Sequence, residues 1–400
     1  MKVLIINCGS SSIKYQLFDT EADRTLAKGI TARIGEKSSF IMHQARGEKL
    51  REEMSIPSHQ KGIELMVGLL IDPTHGVLHS ISEISAVGHR TVHGGNIFVQ
   101  SVLITAEVIA KIEECVPLAP LHNPANLLGI REAQRILPDI PHVAVFDTAF
   151  HQTMPPKAYL YALPYEHYKT FKIRRYGFHG TSCRHVSQRA ASLLMTPLET
   201  LKMVICHLGN GVTVAAVDGG KSVDTSMGFT PAEGLMMGTR SGDLDPGVIF
   251  YLHRQLGFSV DRIDDLVNRE SGLFGVSGTS NDMRDIIEKA NQGNERCTLA
   301  IEMYAYRLKK CIAAYAAALG GPDALVFTAG VGENSWIIRR KICEGLEFLG
   351  VHLDGVRNQE VSGTEALIST QESRVQVLVI PTNEEQMIAL DTINVVSLKV

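Results

Sequence analysis

Three glycine-containing turns carry groups that could bind phosphate. The first turn, Asn7–Ser12, offers three serine hydroxyls and a side-chain amide, with Lys14 just beyond it. The second is His207-Leu208-Gly209-Asn210-Gly211, and the third, Thr328–Asn334, includes Gly330, Val331, Gly332 and Glu333. Glycine lets backbone N–H groups approach phosphate oxygens, and the third turn opens a predicted helix whose N-terminus favours an anion. Either of the first two turns alone is more often a plain hairpin, but three in this order favour a nucleotide site.

The first two turns occupy equivalent places in two halves of the chain. Aligning Gly9 with Gly209 matches IINCGSSSIKYQLFD with VICHLGNGVTVAAVD, and each segment reads as a strand, a glycine turn and a return strand. Each copy opens an α/β pattern. The repeat predicts a duplicated α/β fold of two domains with a central cleft. A coincidental pair of hairpins remains the alternative at this point.

Helices are predicted from apolar residues at helical spacing and from capping residues. Thr105 and Asp245 are expected to cap helices. Asn123 is predicted to cap another, with Pro124 as its first residue. A helix over Ser335–Leu349 is expected to end at Gly350.

Composition limits the class of protein. The 400 residues exceed one ordinary hydrophobic core, which predicts two domains. A hydrophobic content of 44% and a charged content of 20% indicate a globular protein. The net charge of −4 argues against bulk nucleic-acid binding. No apolar run approaches the roughly 18 residues of a membrane span, and seven scattered cysteines without a CxxC pair indicate reduced thiols in a cytoplasm.

Several common motifs are missing or fail in context. Gly220-Lys221-Ser222 ends like a P-loop, but Ala215 stands where the first glycine is required, and the segment reads as a hairpin. No GxGxxG follows the first strand, which disfavours a dinucleotide-binding dehydrogenase. The absence of GxSxG and HExxH removes the commonest hydrolase and zinc-protease interpretations.

Eight motifs together resemble the acetate kinase family. They are INCGSSSIKY at the N-terminus, GHRTVHGG at 88–95, VFDTAFH at 145–151, YGFHGTSCRHV at 176–186, CHLGNG at 206–211, GLMMGTRSGDLDP at 234–246, FTAGVGEN at 327–334 and IPTNEE at 380–385. The resemblance covers nearly the whole chain, in order. It implies the duplicated ribonuclease-H-like fold of the actin, Hsp70 and sugar-kinase superfamily. It also implies a homodimer formed mainly through the second domain.

The resemblance implies transfer of the ATP γ-phosphoryl group to acetate by direct in-line displacement, with Mg²⁺ as cofactor. Arg90, Asp147, His179 and Arg240 match the family's catalytic residues, and Asn7 and Glu384 match residues near the metal. Guanidinium groups suit this chemistry because their fork of donors binds carboxylate or phosphoryl oxygens. Asp147 is often described in this family as a proton acceptor. Acetate has no proton to lose at neutral pH, so we expect Asp147 to orient an arginine or a metal-bound water instead.

Binding roles follow from the same resemblance. Val92, Leu121, Phe178 and Pro231 match an apolar pocket for the acyl methyl group, and His122 lies nearby in the family pattern. His207–Gly211 should face the β- and γ-phosphates. Asp282-Met283-Arg284 and Gly330–Asn334 should hold the ribose and the adenine.

The first domain is expected to span residues 1–150 plus 385–400, on the acyl and phosphate side. The second, residues 151–384, is expected to bind the nucleotide. Propionate or butyrate kinase is the first alternative function. An Hsp70-like or actin-like ATPase acting on protein partners is the second. No residues remain for a separate client-binding domain, and the paired arginines suit an acyl acceptor.

Overall fold

The structure is a computed structural model that describes residues 1–398. It contains two compact units, one formed by Met1–Ala149 with the end of the chain from Asn383, the other by Phe150–Thr382. Within residues 1–398, no helix combines the length and the apolar character needed to cross a membrane.

The first unit is built on an eight-stranded sheet. Its strands are β1 (Lys2–Cys8), β2 (Ser12–Asp19), β3 (Arg24–Ala32), β4 (Phe40–Ala45), β5 (Glu48–Glu53), β6 (Ile84–Thr91), β7 (Val102–Leu103) and β8 (His142–Phe146). They lie in the order β5-β4-β3-β2-β1-β6-β8-β7. β1, β2 and β3 are antiparallel neighbours, whereas β6 runs parallel to β1 and β8 runs parallel to β6.

The second unit is built on a six-stranded sheet. Its strands are β9 (Lys202–Leu208), β10 (Val212–Asp218), β11 (Lys221–Thr225), β12 (Ala324–Thr328), β13 (Ala366–Leu367) and β14 (Gln376–Val379). Their order is β11-β10-β9-β12-β14-β13. β9, β10 and β11 are antiparallel, and β12 and β14 run parallel to β9.

The two sheets share one topology. Each contains three consecutive antiparallel strands, followed by two parallel strands reached by crossovers and an antiparallel edge strand. The first sheet extends its antiparallel side by two further strands, β4 and β5. This arrangement confirms the duplication that was predicted from the alignment of Gly9 with Gly209. It is the duplicated ribonuclease-H-like α/β fold implied by the family resemblance.

Helices cover both sheets. They are α1 (His59–Leu70), α2 (Ala106–Glu114), α3 (Asn123–Ile136) and α15 (Glu384–Ser397) in the first unit, and α4 (Pro156–Tyr159), α5 (Tyr165–Phe171), α6 (Gly180–Leu193), α7 (Pro246–Leu256), α8 (Val260–Arg269), α9 (Gly272–Ser277), α10 (Met283–Asn291), α11 (Glu295–Leu319), α12 (Ala329–Asn334), α13 (Trp336–Cys343) and α14 (Gly355–Glu360) in the second. In the first unit, Leu4 and Ile6 of β1 pack with the helices α1 and α3. Val3 and Ile5 point to the other face and pack with α15. A central strand that is apolar on both faces is thereby buried between two helical layers.

Two helix predictions need correction, whereas Thr105 and Asp245 cap α2 and α7 as predicted. Asn123 is not the cap of α3, because His122 occupies that position and the amide of Asn123 bonds to the backbone of His93 instead. The helix predicted over Ser335–Leu349 is interrupted. α13 ends at Cys343, because Gly345 adopts a φ of 81°, which a right-handed helix excludes.

Candidate functional site

A buried ion pair lies at one edge of the first sheet. β6 and β8 are parallel neighbours with Thr91 opposite Phe146, so Arg90 and Asp147 emerge side by side. The Arg90 Nε donates to Asp147 Oδ1 at 3.0 Å, and Nη2 donates to Oδ2 at 2.6 Å. Glu384, the first residue of α15, places Oε2 3.9 Å from the same Nη2. Both oxygens of Asp147 are thus occupied by one guanidinium group.

Burial and charge act in opposite directions on this pair. Burial raises the pKa of Asp147, and the neighbouring Arg90 opposes the rise. Burial alone would lower the pKa of Arg90, but the carboxylates of Asp147 and Glu384 together raise it. We regard both groups as ionised, because the bidentate geometry satisfies the two charges directly. Among the described residues, Nη1 of Arg90 makes no hydrogen bond, so this nitrogen can donate to an anionic ligand.

The predicted acyl-pocket residues of the first unit follow the same strand or precede α3. Val92 comes directly after β6, and its backbone N–H donates to Asn126 Oδ1 at 3.0 Å. Leu121 is half exposed, and His122 occupies the N-cap position of α3. Phe178 and Pro231, the other two predicted members, belong to the second unit.

The first glycine turn is tight. The Gly9 N–H donates to the carbonyl oxygen of Ser12 at 2.8 Å, and Asn7 pairs with Lys14 across the hairpin. Paired residues in an antiparallel hairpin share one face, so the amide of Asn7 and the exposed ammonium group of Lys14 are neighbours. His59, which sequence analysis did not single out, hydrogen-bonds the carbonyl oxygen of Gly9 through Nε2 at 2.8 Å.

Two stacked histidines occupy the second unit. The rings of His179 and His207 are 4.1 Å apart between centroids and inclined by 16°. His179 Nδ1 lies 2.9 Å from the hydroxyl of Thr213, and His207 Nδ1 lies 2.8 Å from the hydroxyl of Ser182. Thr382 donates its own hydroxyl proton to Ser182, which leaves the Ser182 proton for His207 Nδ1. This assignment places the His207 proton on Nε2.

The turn that carries His179 is held in a costly conformation. His179 has a φ of 57°, and Ala329, at the start of α12, has a φ of 62°. A non-glycine residue in the left-handed region costs roughly 1–2 kcal/mol. Strain of this kind concentrates at functional sites, which favours a functional role for both turns.

Arg240 lies beside His179. A Cβ placed on Gly211 would lie 3.1 Å from His179 Cε1 and 3.5 Å from Arg240 Nη1, so the three groups converge. Arg240 Nη1 also donates to the carbonyl oxygen of Pro231 at 3.3 Å. No carboxylate between residues 1 and 398 forms an ion pair with Arg240, in contrast to Arg90. Burial lowers the pKa of its guanidinium, which nevertheless stays charged near neutral pH and offers an uncompensated positive charge.

A cavity of about 1,100 Å³ in the second unit gathers many of the predicted nucleotide residues. Its predicted lining residues are Gly209, Asn210, Asp282, Met283, Arg284, Gly330, Val331 and Asn334. The side chain of Leu208 is instead buried in the sheet, and the Glu333 carboxylate accepts the N–H of Thr382 at 3.0 Å. Gly332 packs on Phe327. The cavity therefore brings together part of the predicted set, while the remainder supports the turns.

Sequence analysis missed the other half of the cavity. Those lining residues are Leu273, Asn281, Ile287, Glu288, Asn291, Ser335, Trp336 and Ile337. Ile287 and Asn291 follow Met283 at four-residue intervals on α10, so helical periodicity could have identified them. The third predicted glycine turn is instead the short helix α12, which begins directly after β12, and Trp336 and Ile337 begin the next helix, α13. The single tryptophan of the chain therefore lies in the wall of this cavity.

The residues expected near magnesium form a sparse donor set. Asn7 lies near the end of β1 and Glu384 at the start of α15, a helix that packs on β1 and β6. Asp147 is engaged by Arg90. Within the part of the chain that the structure describes, no three His, Cys, Asp or Glu side chains form a metal cluster. Magnesium commonly keeps several waters and takes one or two carboxylates, so the donor set fits magnesium better than a metal needing a full protein cage.

Comparisons with known proteins identify the family of the chain. A family model described as the acetokinase family matches residues 2–390. An acetate kinase of Thermotoga maritima is 58% identical over 398 residues, which is 99% of each chain. The crystal structure of Porphyromonas gingivalis acetate kinase has a TM-score of 0.95 at 50% identity, with 99% of each chain covered. A propionate kinase from Francisella tularensis has a TM-score of 0.93 at 43% identity, over 98% of this chain and 99% of that one. The chain belongs to the acetokinase family.

Proposed function

We propose that the chain is an acetate kinase, which reversibly transfers the γ-phosphoryl group of ATP to acetate and yields acetyl phosphate and ADP. The observation that carries this proposal is the full-length likeness to relatives named acetate kinase, at up to 58% identity. Arg90 in the first unit and the neighbouring His179 and Arg240 in the second support it, because phosphoryl transfer to an anion requires positive charge and donors around the acceptor and the phosphoryl group. The first unit takes the acyl substrate in this proposal, and the second takes the nucleotide.

Arg90 binds the acetate carboxylate, and Asp147 orients Arg90. Asp147 uses both oxygens for Arg90 Nε and Nη2, which fixes the plane of the guanidinium and directs Nη1 to the substrate. Acetate is ionised near neutral pH, so its attack on phosphorus needs no general base. Catalysis is then positioning and charge stabilisation in a direct in-line transfer.

His179 and Arg240 stabilise the transferring phosphoryl group. Their convergence at Gly211 supports this role, because the phosphoryl oxygens need several donors in one small volume. In this proposal the segment His207–Gly211 faces the β- and γ-phosphates. Lys14 adds a positive charge near the amide of Asn7.

The large cavity of the second unit binds the nucleoside. Asp282, Met283 and Arg284 at the start of α10 border one side, and the short helix α12 borders the other. Ile287, Trp336 and Ile337 add apolar surface, which suits the adenine ring.

Magnesium is the proposed cofactor, and Asn7 and Glu384 would hold it, in part through water molecules. When bound, it neutralises part of the phosphate charge. For the acyl group, the proposed residues are Val92, Leu121 and His122 of the first unit, with Phe178 and Pro231 of the second as further candidates. Val92 lies two residues after Arg90, so in an extended segment both side chains point to one face.

A homodimer formed through the second unit is also proposed. α7 has no buried residue, and Val248, Phe250, Tyr251 and Leu256 on this helix are each more than 40% exposed. Apolar side chains clustered on one short helix are typical of a protein interface. A cytoplasmic location is proposed because all seven cysteines are free thiols.

Hydroxylamine trapping of acyl phosphate tests the function. ATP and magnesium are supplied with acetate, propionate or butyrate side by side. We expect acetyl hydroxamate to dominate, propionate to be weaker and butyrate poor. Because the chain is also similar to a propionate kinase, the turnover of propionate relative to acetate is the most informative comparison. Equal or better turnover of butyrate would overturn the acetate assignment, and ATP consumption without any carboxylate would favour an ATPase acting on protein partners.

A further inference from the structure

We propose that Asn126, on α3, is a positioning residue that sets the acyl-chain specificity by holding the backbone of Val92. The inference rests on the proposed function, since it concerns the acyl side of that site. It assigns specificity to a buried amide that lies behind the pocket.

Asn126 joins two segments that are far apart in the chain. Its Oδ1 accepts the backbone N–H of Val92 at 3.0 Å, and its Nδ2 donates to the carbonyl oxygen of Cys8 at 2.8 Å. The residue is 4% exposed. One side chain thus connects the end of β1, next to Asn7, with the first residue after β6. Because both ends of the amide are used, its orientation is fixed.

Asn123, one helical turn earlier, acts on the next residue. Its Oδ1 accepts the N–H of His93 at 3.1 Å, and its Nδ2 donates to the carbonyl oxygen of His93 at 2.9 Å. Residues three apart lie on one face of a helix, so the two asparagines form a row along α3. Together they fix the N–H groups of Val92 and His93 and the carbonyl of His93. The direction of the Val92 side chain is therefore set by α3.

The close approach of α3 to β1 depends on a glycine. A Cβ on Gly129 would lie 2.5 Å from the Cβ of Cys8, closer than any real contact, so only glycine lets the helix come this near. α3 also begins directly after Leu121 and His122. Val92 is hydrogen-bonded to α3, and Leu121 and His122 lie directly before it in the chain. The position of α3 therefore sets the distance between these residues.

This arrangement predicts how the pocket discriminates. The extra methylene of a longer acid would contact the Val92 side chain. The backbone of Val92 can shift to make room only if its hydrogen bond to Asn126 is broken. A rigid backbone therefore makes the methyl groups of Val92 an effective limit on chain length. Loosening it should admit a longer acid without any change in the lining side chains.

The test compares Asn126→Ala, which removes both bonds, with the wild-type enzyme. The kcat and KM for acetate and propionate, the KM for ATP and the thermal midpoint are measured for each. Thr105→Ala is the matched control, because it removes the cap of α2, a neighbour of α3, without touching the pocket. Asn123→Ala is the second variant if Asn126→Ala does not fold.

In Asn126→Ala we expect the propionate-to-acetate ratio of kcat/KM to rise at least about threefold, a part of the roughly 10- to 200-fold by which apolar pockets discriminate one methylene. Most of the change should lie in the two KM values, because the arginines are untouched, and the KM for ATP should stay within about twofold. Thr105→Ala should keep the wild-type ratio. A folded Asn126→Ala enzyme with an unchanged ratio would overturn the inference, as would a ratio that moves equally in Thr105→Ala. A wild-type chain that makes no acetyl phosphate would instead contradict the proposed function.

Discussion

If Asp147 acts by orienting Arg90, replacing either residue should damage the same step. Asp147→Asn keeps one acceptor for Arg90 Nε but places an NH₂ group 2.6 Å from Nη2, where the second bond now lies. A hydrogen bond to a charged group is worth about 1.5–3 kcal/mol, which corresponds to roughly 10- to 160-fold in rate if that bond maintains the productive orientation. Arg90→Ala removes the charge itself, which should cost about 10²- to 10³-fold.

The double variant distinguishes orientation from an independent role. Once Arg90 is absent, Asp147 has nothing to orient, so Arg90→Ala/Asp147→Asn should be about as slow as Arg90→Ala alone. The coupling free energy should then equal nearly the whole effect of Asp147→Asn, about 1.5–3 kcal/mol. The assay is kcat/KM for acetate at saturating ATP, measured well below the thermal midpoint of each variant. Multiplicative losses, reaching about 10³- to 10⁵-fold in the double variant, would refute the orienting role and favour a separate catalytic function of Asp147.

A second ion pair supplies the matched control. Arg189 and Glu365 form the same fork, with Nε and Nη2 each 2.7 Å from an oxygen, but both side chains are more than 30% exposed. Exposed pairs of this kind contribute only about 0.2–1 kcal/mol. Glu365→Gln should therefore leave kcat/KM and the thermal midpoint nearly unchanged. Asp147→Asn, by contrast, leaves a buried charge partly uncompensated and should destabilise the fold by about 3–5 kcal/mol.

Four further outcomes are expected. Arg240→Ala should reduce kcat by about 10²- to 10³-fold, because no other group replaces its uncompensated charge; near-normal turnover would show that the arginine is structural. Val92→Ala should raise the propionate-to-acetate ratio of kcat/KM about tenfold or more, mostly through the KM for propionate, and an unchanged ratio in a folded variant would remove Val92 from the pocket. Titration with ADP should change the fluorescence of Trp336, the only tryptophan, and no change at saturation would place the nucleoside elsewhere. Burial lowers the pKa of His151 to about 4, whereas in the unfolded chain its pKa is near 6.5. As the pH falls below 6.5, the unfolded chain therefore binds a proton at His151 that the folded chain does not. The free energy of unfolding is unaffected above pH 6.5 and falls towards pH 4, by about 2 kcal/mol at pH 5. The fall in thermal midpoint between pH 7.5 and pH 5 should shrink in His151→Gln.

The architecture could be predicted from local pattern because each half repeats it. A glycine turn between two apolar strands is a short-range signal, and Gly9 and Gly209 each stand in such a turn. Two copies in one chain strengthen a signal that is weak alone. Similarly, Thr105 and Asp245 were identified as caps because a cap bonds to a backbone N–H two or three residues later.

The failures share one physical cause, which is competition from a distant partner or a local backbone conformation. Asn123 has the composition and position of a cap, but the peptide of His93, thirty residues earlier, takes both ends of its amide. The bonds to His93 are made in a buried site, where unsatisfied amide groups would be costly, so they prevail over a cap bond that water could replace. Gly345 ends the helix although the apolar pattern continues beyond it. Its φ of 81° is left-handed, which glycine adopts readily and a right-handed helix cannot contain.

The same reasoning explains which site residues sequence motifs can reveal. Arg90 and His179, which are proposed to contact the ligands, lie in short motifs that contain glycines. The local backbone of these motifs includes residues with positive φ, such as Gly95 and His179. The residues that hold them come from elsewhere, because β6 and β8 are parallel and a parallel pair requires a long crossover. That crossover contains α3, which returns across the sheet and presents Asn123 and Asn126 to the segment after β6. The residues proposed to contact the ligands can therefore be recognised in local motifs. The residues that hold the pocket backbone in place lie instead on the crossover helix α3. A change in acyl specificity can accordingly arise on α3 while every lining side chain stays the same.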